Sequence, residues 1–233
     1  KIQYAQGEDV YNEIRMAAKP LSTEPSVSSG QDAERGSIGP DNSSISAADS
    51  VDFDSLKTIN EDTVAWILAK GTRIDYPIVH GTDNDYYLDR LFNHKPGKTG
   101  SIFLDYRNSA DLSDTNMIIY GHNMIDGSMF ADITNYKSQE YYEAHPTMFL
   151  FTPGQVFAVE LFAGKTIEAN IDEMPTGFED PRDYFDYVDW LRTGSTVEAN
   201  DRIITLCTCT YEFDDARYIL CGKLLPIEIP PST

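Results

Sequence analysis

One cysteine and one arginine in this 233-residue chain are spaced as a nucleophilic thiol site requires. Cys209 ends the β-rich run 201–209 and precedes a polar segment, so its thiol is predicted to lie at the open end of a strand. Arg217 begins the next β-rich run eight residues later. If the two strands pair antiparallel, Arg217 lies beside Cys209, and its positive charge favours the thiolate, which is the nucleophilic form.

A thiol nucleophile also needs a proton donor, and the chain offers four histidines, His80, His94, His122 and His145. His122 is the strongest candidate because it follows the apolar run 117–121 at a predicted strand end and precedes a loop. His94 and His145 lie in polar segments next to proline, which is typical of solvated loop residues. His80 also lies at a predicted strand end, so it remains a candidate for the proton donor. A cysteine and a histidine without further context are a weak signal of catalysis.

The overall composition excludes several classes of protein. With 38 acidic and 18 basic side chains the formal net charge is −20, which argues against nucleic-acid binding. The three cysteines, Cys207, Cys209 and Cys221, form an odd-numbered cluster that indicates a reactive thiol and not a disulfide framework. We find no glycine-rich phosphate loop, zinc-type cysteine spacing or HExxH motif, so we predict no cofactor and no metal site.

Composition also divides the chain into four parts. Residues 1–19 form an N-terminal segment with a weak helical pattern, and residues 20–52 are a flexible linker rich in Ser, Gly, Pro and Asp. Residues 53–227 form the globular domain that carries the candidate catalytic residues, and residues 228–233 form a proline-rich tail. A share of 41% hydrophobic and 12% aromatic residues is sufficient to build a core.

Local patterns predict a mostly β domain. Asn60 is predicted to cap a helix that includes 64–68, and residues 86–92 and 183–191 are predicted to form two further helical pieces. Residues 74–79 are predicted to form an edge strand because they include Pro77. Further short strands are predicted at 101–105, 116–121, 148–151, 155–163, 201–209 and 217–225. Seven or eight short strands in about 175 residues favour a closed or nearly closed barrel.

The motifs together resemble those of sortases, the cysteine transpeptidases of Gram-positive cell walls. The run TLCTC at 205–209, followed by Arg217, is similar to the TLxTC…R signature, and IYGHN at 119–123 is similar to the histidine segment. Class B members are resembled most, through NEDTVAWI at 60–67, GTRIDYPIV at 71–79, DNDYYL at 83–88, GSIFLD at 100–105 and YEF at 211–213. The resemblance covers about residues 55–225, and three motif groups in the right order make chance agreement improbable.

The resemblance implies a fold and a reaction. The fold would be an eight-stranded sortase-type β-barrel with added N-terminal helices and a helix before the cysteine-bearing strand. Cys209 would attack the carbonyl of a Thr in the sorting signal of a secreted protein and form a thioacyl enzyme. His122 would protonate the departing amine, and Arg217 would bind the substrate backbone or the developing oxyanion. The acyl acceptor would be an amine of a peptidoglycan precursor or a pilin Lys.

The resemblance also implies substrate-binding candidates, each with a plainer alternative. Asn84 and Leu88 match a segment that borders the peptide groove, but they can equally be a helix-surface residue and a core residue. Thr208 is a candidate because it neighbours the nucleophile. Cys207 occupies the variable position of the signature, and we interpret it as a small buried side chain, the alternative being a resolving thiol.

Two other functions are alternatives for the same sequence. A cysteine endopeptidase would use the same thiol with water as the acyl acceptor. A non-catalytic surface-binding domain would have the same barrel without the enzymatic activity. The resemblance implies the extracellular face of the cell membrane as the location. Because the chain begins with Lys1, we expect its membrane anchor to be an N-terminal segment absent from this chain.

Overall fold

The β-rich runs close into a single barrel. The computed structural model of the chain describes residues 2–19, 45–46, 49–168, 174–177, 197–198 and 200–228. Its strands are β1 (Thr63–Leu68), β2 (Asp75–His80), β3 (Ile102–Leu104), β4 (Asn116–Tyr120), β5 (Thr147–Phe151), β6 (Val156–Glu168), β7 (Ile203–Cys209) and β8 (Ala216–Ile227). They hydrogen-bond in the order β1-β2-β3-β4-β7-β8-β6-β5, and β5 pairs with β1 to complete the ring. The predicted mostly β, eight-stranded barrel is confirmed.

The barrel is filled by aliphatic and aromatic side chains. Every residue of β3 and β4 is buried, and β7 is buried up to the cysteine at its end. Phe149, Phe151 and Phe162 are among the largest side chains with almost no exposed surface. Burying a side chain of this size stabilises the fold by roughly 1.5–3 kcal/mol. The strand ends that carry chemistry therefore project from a rigid scaffold.

Among the residues that the structure describes, three α-helices and two 3₁₀ segments surround the barrel. The helices are α1 (Ile2–Ala18), α2 (Phe53–Ile59) and α3 (Gln139–Ala144), and the 3₁₀ segments are Tyr86–Leu88 and Ala131–Lys137. The backbone N–H of Asp52 donates to the Ala18 carbonyl, and the Asp52 side chain caps α2 by accepting from the N–H of Ser55. No helix in the described ranges combines the length and the apolar character needed to cross a membrane. The helix predicted at 183–191 and most of the predicted linker and tail lie outside the described residues.

The helix predicted to begin at Asn60 is wrong. Asn60 instead terminates α2, since its N–H donates to Leu56 O, and its buried side chain donates to Phe92 O over 2.8 Å. The following residues form β1, in which Trp66 pairs with Phe151 on one side. Residues 64–68 are β-branched or aromatic at most positions, and pairing with two neighbouring strands outweighed the capping signal of Asn60.

Two other local predictions also need correction. Residues 86–92 form only one 3₁₀ turn, Tyr86–Leu88, because the chain then bends into the segment that leads to β3. The strand containing Pro77 is not an edge, since β2 pairs with both β1 and β3. The registered pairs with β3 begin only at Ile78, so the missing N–H of Pro77 falls outside that ladder.

Candidate active site

A parallel strand pair brings the candidate histidine and cysteine to the same level. In the register of β4 and β7, Tyr120 lies opposite Cys207. His122 and Cys209 each follow two residues later and leave the barrel at the same end. Since side chains alternate along a strand, Cys207 and Cys209 share one face, and both line the same cleft.

The chain passes very close to β7 just before His122. The N–H of Gly121 donates to Cys207 O over 3.1 Å, and the hydroxyl of Thr208 donates to Gly121 O over 2.6 Å. A Cβ at residue 121 would lie 2.4 Å from Ile102 Cδ1 and 2.7 Å from the Phe130 ring, so only glycine fits. These contacts fix the backbone from which His122 projects.

Arg217 lies directly across from Cys209 in the antiparallel register of β7 and β8. The predicted pairing is therefore present. Arg217 is half-buried, and its Nη1 donates to the carbonyl of Ala216 over 3.1 Å. A permanent cation thus stands beside the thiol with further N–H donors available to a ligand.

The thiol of Cys209 and the imidazole of His122 line the same cleft and shift each other's pKa. The interaction with His122 lowers the pKa of Cys209 below its ordinary range, and although burial opposes the shift, the charge of Arg217 adds to it. The same interaction raises the pKa of His122, against burial. Both shifts favour a thiolate–imidazolium pair, which is the reactive form of a cysteine nucleophile.

A backbone carbonyl fixes the other side of the imidazole. Nε2 of His122 lies 2.7 Å from Leu88 O, and because a carbonyl only accepts, Nε2 carries the proton. Nδ1 is then the ring nitrogen left for Cys209. The Leu88 carbonyl also contributes to the raised pKa of His122, since it stabilises the doubly protonated ring.

The three candidate residues open onto a cleft of about 410 Å³. One wall is the segment around the 3₁₀ turn Tyr86–Leu88, and the floor is formed by residues of β3, β4 and β7. The lining residues are Asp83, Asn84, Asp85, Leu88, Phe103, Tyr106, Tyr120, Gly121, His122, Cys207, Thr208, Cys209 and Arg217. The cleft is thus apolar at its base, acidic at the wall and cationic at Arg217.

The predicted substrate-binding residues all line this cleft, in different states. Leu88 is 41% exposed, so the alternative of a core residue is wrong for it. Asn84 is partly buried in a turn, where its Nδ2 donates to Asp105 and its Oδ1 accepts from the N–H of Tyr106, which leaves one amide hydrogen free. Thr208 is buried with its hydroxyl already donated inside the protein.

A buried carboxylate behind the cleft wall escaped the sequence analysis. Asp105 is fully buried and accepts from Arg107, from the Tyr120 hydroxyl and from Asn84. Burial by itself would raise the pKa of Asp105, but the Arg107 and Tyr120 bonds together hold it below its ordinary range. The available signal was an acid at the end of an apolar run with an arginine two residues later.

Asn123 is a second residue that the sequence analysis missed. Its Nδ2 donates to the backbone carbonyl of Cys209 over 2.9 Å, and its own carbonyl accepts from the Tyr211 hydroxyl over 3.4 Å. Asn123 therefore ties the loop after His122 to the loop after the cysteine. Only its position next to His122 marked it in the sequence.

The remaining cysteines and histidines lie outside the reacting group. Cys207 and Cys221 are buried, and burial raises the pKa of each thiol to about 12. Cys207 lies under the cleft as the small buried side chain that we expected. His80, His94 and His145 do not line the cleft.

A cysteine beside a histidine and an arginine at the mouth of a cleft is typical of the catalytic site of a thiol-dependent acyl-transfer enzyme. In the described part of the chain, no group of three or more His, Cys, Asp or Glu side chains is placed to hold a metal ion. A protein-family model described as a Sortase domain matches residues 67–225. The chain belongs to the sortase family.

Individual relatives support the same assignment. The chain is 40% identical to sortase B of Listeria monocytogenes over 179 residues, which cover 73% of this chain and 72% of the relative. It is 31% identical to sortase B of Staphylococcus aureus over 183 residues, covering 75% of each. The crystal structure of Clostridium perfringens sortase B superposes with a TM-score of 0.69 at 36% identity, covering 75% of this chain and 100% of that one.

The family assignment fixes the general role. Sortases are transpeptidases that join proteins bearing sorting signals to amine acceptors of the cell wall, and they work at the cell surface in association with the membrane. The chain therefore has the general role of a sortase, and its closed barrel matches that of sortase B structures.

Proposed function

We propose that this chain is a class B sortase that cleaves a Thr-containing sorting signal through a thioacyl intermediate on Cys209. The observation that carries the proposal is the placement of Cys209 and His122 at matching ends of two paired strands in one cleft, with Arg217 opposite the thiol. The same constellation would serve a hydrolase, so the acceptor distinguishes the two activities.

In the first half-reaction the Cys209 thiolate attacks the Thr carbonyl carbon, and a bond forms between Sγ and that carbon. Negative charge develops on the carbonyl oxygen, where the Arg217 guanidinium can stabilise it; in other enzymes one such donor is worth about 2.7–4 kcal/mol. The C–N bond then breaks, and the His122 imidazolium gives its proton to the departing amine.

The second half-reaction runs the same steps with a different amine. An incoming amine attacks the thioacyl carbon and loses a proton to His122, and the C–S bond breaks to restore the thiolate. The raised pKa of His122 suits both steps, because the ring is protonated when the leaving amine needs a proton and reprotonated when the acceptor loses one.

The cleft supports the peptide-binding part of the proposal. Leu88 offers exposed apolar surface on one wall, and Asn84 offers one free amide hydrogen on a side chain already held in place. Thr208 acts through the backbone of Gly121, since its hydroxyl is occupied there. We therefore assign Asn84 and Leu88 to substrate contact and Thr208 to positioning. The substrate would be a secreted protein, and the acceptor a peptidoglycan-precursor or pilin amine.

The test is product analysis by mass spectrometry. The protein is incubated with a panel of Thr-containing pentapeptides, with and without a glycine peptide or a lysine peptide as acceptor. We expect a thioacyl adduct on Cys209 and, with acceptor present, an amide-linked product. Cys209→Ala should give neither. Cleavage to the free acid alone at all acceptor concentrations would identify an endopeptidase, and absence of both adduct and cleavage would identify a binding domain.

A further inference from the structure

The carbonyl that accepts from His122 lies close against the backbone of Gly100. Gly100 has φ +57°, and a Cβ at this position would lie 2.5 Å from Leu88 O and 2.7 Å from Tyr87 O. The next residue, Ser101, donates its N–H to Tyr87 O over 3.0 Å and its hydroxyl to Arg90 O over 2.8 Å. Leu88 O therefore lies between His122 and the backbone of Gly100.

Helix α1 reaches this contact through one side chain. The hydroxyl of Tyr11 donates to Gly100 O over 2.7 Å and lies 3.3 Å from Ser101 Oγ. Tyr11 is 3% exposed, and its ring packs edge-on against Tyr76, 5.3 Å between centroids. Arg15, one helical turn further along α1, covers the other ring of this pair by a cation–π contact with Tyr76. The tyrosine hydroxyl is thus bonded to the backbone that lies against the Leu88 carbonyl.

We propose that Tyr11 is a positioning residue for His122, acting through Gly100 and the Leu88 carbonyl. The inference rests on the proposed role of the Cys209–His122 pair. Its chain of contacts runs from the Tyr11 hydroxyl to Gly100 O, from the Gly100 backbone to Leu88 O, and from Leu88 O to Nε2 of His122.

The direction of the effect follows from the charge on the ring. Leu88 O stabilises the protonated imidazole, so loosening Leu88 O makes the imidazolium less stable and the Cys209 thiolate less favoured. The other groups that act on His122 and Cys209 are Arg217, which adjoins both, and the rim carboxylates Asp83 and Asp85 of the cleft. The variants below leave all of these in place.

The experiment measures the rate of alkylation of Cys209 by iodoacetamide against pH, followed by mass spectrometry with Cys209→Ala as the blank. This readout needs no peptide substrate. Wild type is first compared with His122→Gln; if the two profiles coincide, the proposed Cys209–His122 pair itself fails. If they differ, the pair stands, and Tyr11→Phe tests the further inference because it removes only the hydroxyl.

A matched control comes from another buried tyrosine. Tyr136 donates its hydroxyl to His145 O over 3.0 Å, so Tyr136→Phe also loses one tyrosine–carbonyl hydrogen bond, without any contact to Gly100. We expect Tyr11→Phe to shift the alkylation profile to higher pH and to slow alkylation near neutral pH about threefold, the size expected for weakening one hydrogen bond to a charged group. Tyr136→Phe should leave the profile unchanged.

A direct perturbation of the carbonyl gives a second arm. Gly100→Ala pushes on Leu88 O and should shift the profile in the same direction and by more than Tyr11→Phe does. An unchanged profile in Tyr11→Phe, or equal shifts in Tyr11→Phe and Tyr136→Phe, would overturn the proposal and leave Tyr11 a purely structural residue. A shift of the profile in Tyr11→Phe without a shift in Tyr136→Phe supports the proposal, and this comparison does not depend on whether Gly100→Ala folds.

Discussion

Replacing the buried carboxylate Asp105 by its amide should destabilise the protein and loosen the cleft wall. Both carboxylate oxygens of Asp105 accept hydrogen bonds, and neither faces an acceptor-only group. Oδ1 accepts from the backbone N–H and the Nε of Arg107. Oδ2 accepts from Arg107 Nη2, the Tyr120 hydroxyl and Asn84 Nδ2. In Asp105→Asn the NH₂ group must replace one of these oxygens. It then faces donors in either orientation, so two or three hydrogen bonds are lost.

The size of the loss follows from these bonds. Hydrogen bonds to a charged group contribute about 1.5–3 kcal/mol each, which gives about 3–6 kcal/mol for two. The Arg107 side chain is 26% exposed, so water recovers part of this, and we expect a loss of about 3 kcal/mol. For a chain of this size each kcal/mol lowers Tm by about 2–4 °C, so Tm should fall by about 6–12 °C.

The assay is urea unfolding followed by peptide kinetics. The midpoint should fall at constant m, and the KM for a cleaved peptide should rise because Asn84 loses its partner. Asp83→Asn is the matched control, because the exposed Asp83 side chain accepts only backbone N–H groups of Asp85 and Tyr86, which an amide oxygen can also serve. A loss below about 1 kcal/mol in Asp105→Asn, or an equal loss in the control, would refute the hydrogen-bond account.

Three further outcomes are expected. Cys207→Ser should keep most transpeptidation while Cys209→Ala abolishes it, measured as amide product; loss of activity in both the serine and alanine variants of Cys207 would contradict the assigned roles. The pKa of Cys209 is lowered by His122, so alkylation in wild type should begin at lower pH than for an ordinary thiol of pKa 9.0, and His122→Gln should move it upward. Thr208→Val should cost about 1–3 kcal/mol in unfolding free energy, because it leaves the buried Gly121 carbonyl without its donor, and kcat should fall more than KM rises; an unchanged kcat would restrict Thr208 to a structural role.

The strand-borne part of the candidate site was predictable because it depends on short spacings. The seven residues between Cys209 and Arg217 suit a hairpin, and the structure pairs Cys209 directly with Arg217. His122 was marked by its place at the end of an apolar run. Period-two spacing also put Cys207 and Cys209 on one face, where they line one cleft.

The rest depends on contacts between distant parts of the chain. Leu88 and His122 are 34 residues apart, and the bond between them uses a backbone carbonyl that no side chain identifies. Asn60 carries a helix-capping signal, but its side chain donates a hydrogen bond to Phe92 O instead. The following residues form β1, although their local propensity also allowed a helix. Tertiary pairing decides such ambiguous segments, and a single sequence does not contain it.

The parallel pairing of β4 with β7 has a consequence for engineering. Tyr120 and Cys207 are in register, so one hydrogen-bonded ladder sets the spacing of His122 and Cys209, and the loops that follow them do not. Loop residues 124–128 and 211–215 can therefore be exchanged between relatives without changing the distance between base and nucleophile, provided that Asn123 keeps its bond to the Cys209 carbonyl. The sequence of these loops and the catalytic geometry are therefore separable in this barrel, so chimaeras that swap only these loops should retain the recipient's thiol reactivity at Cys209.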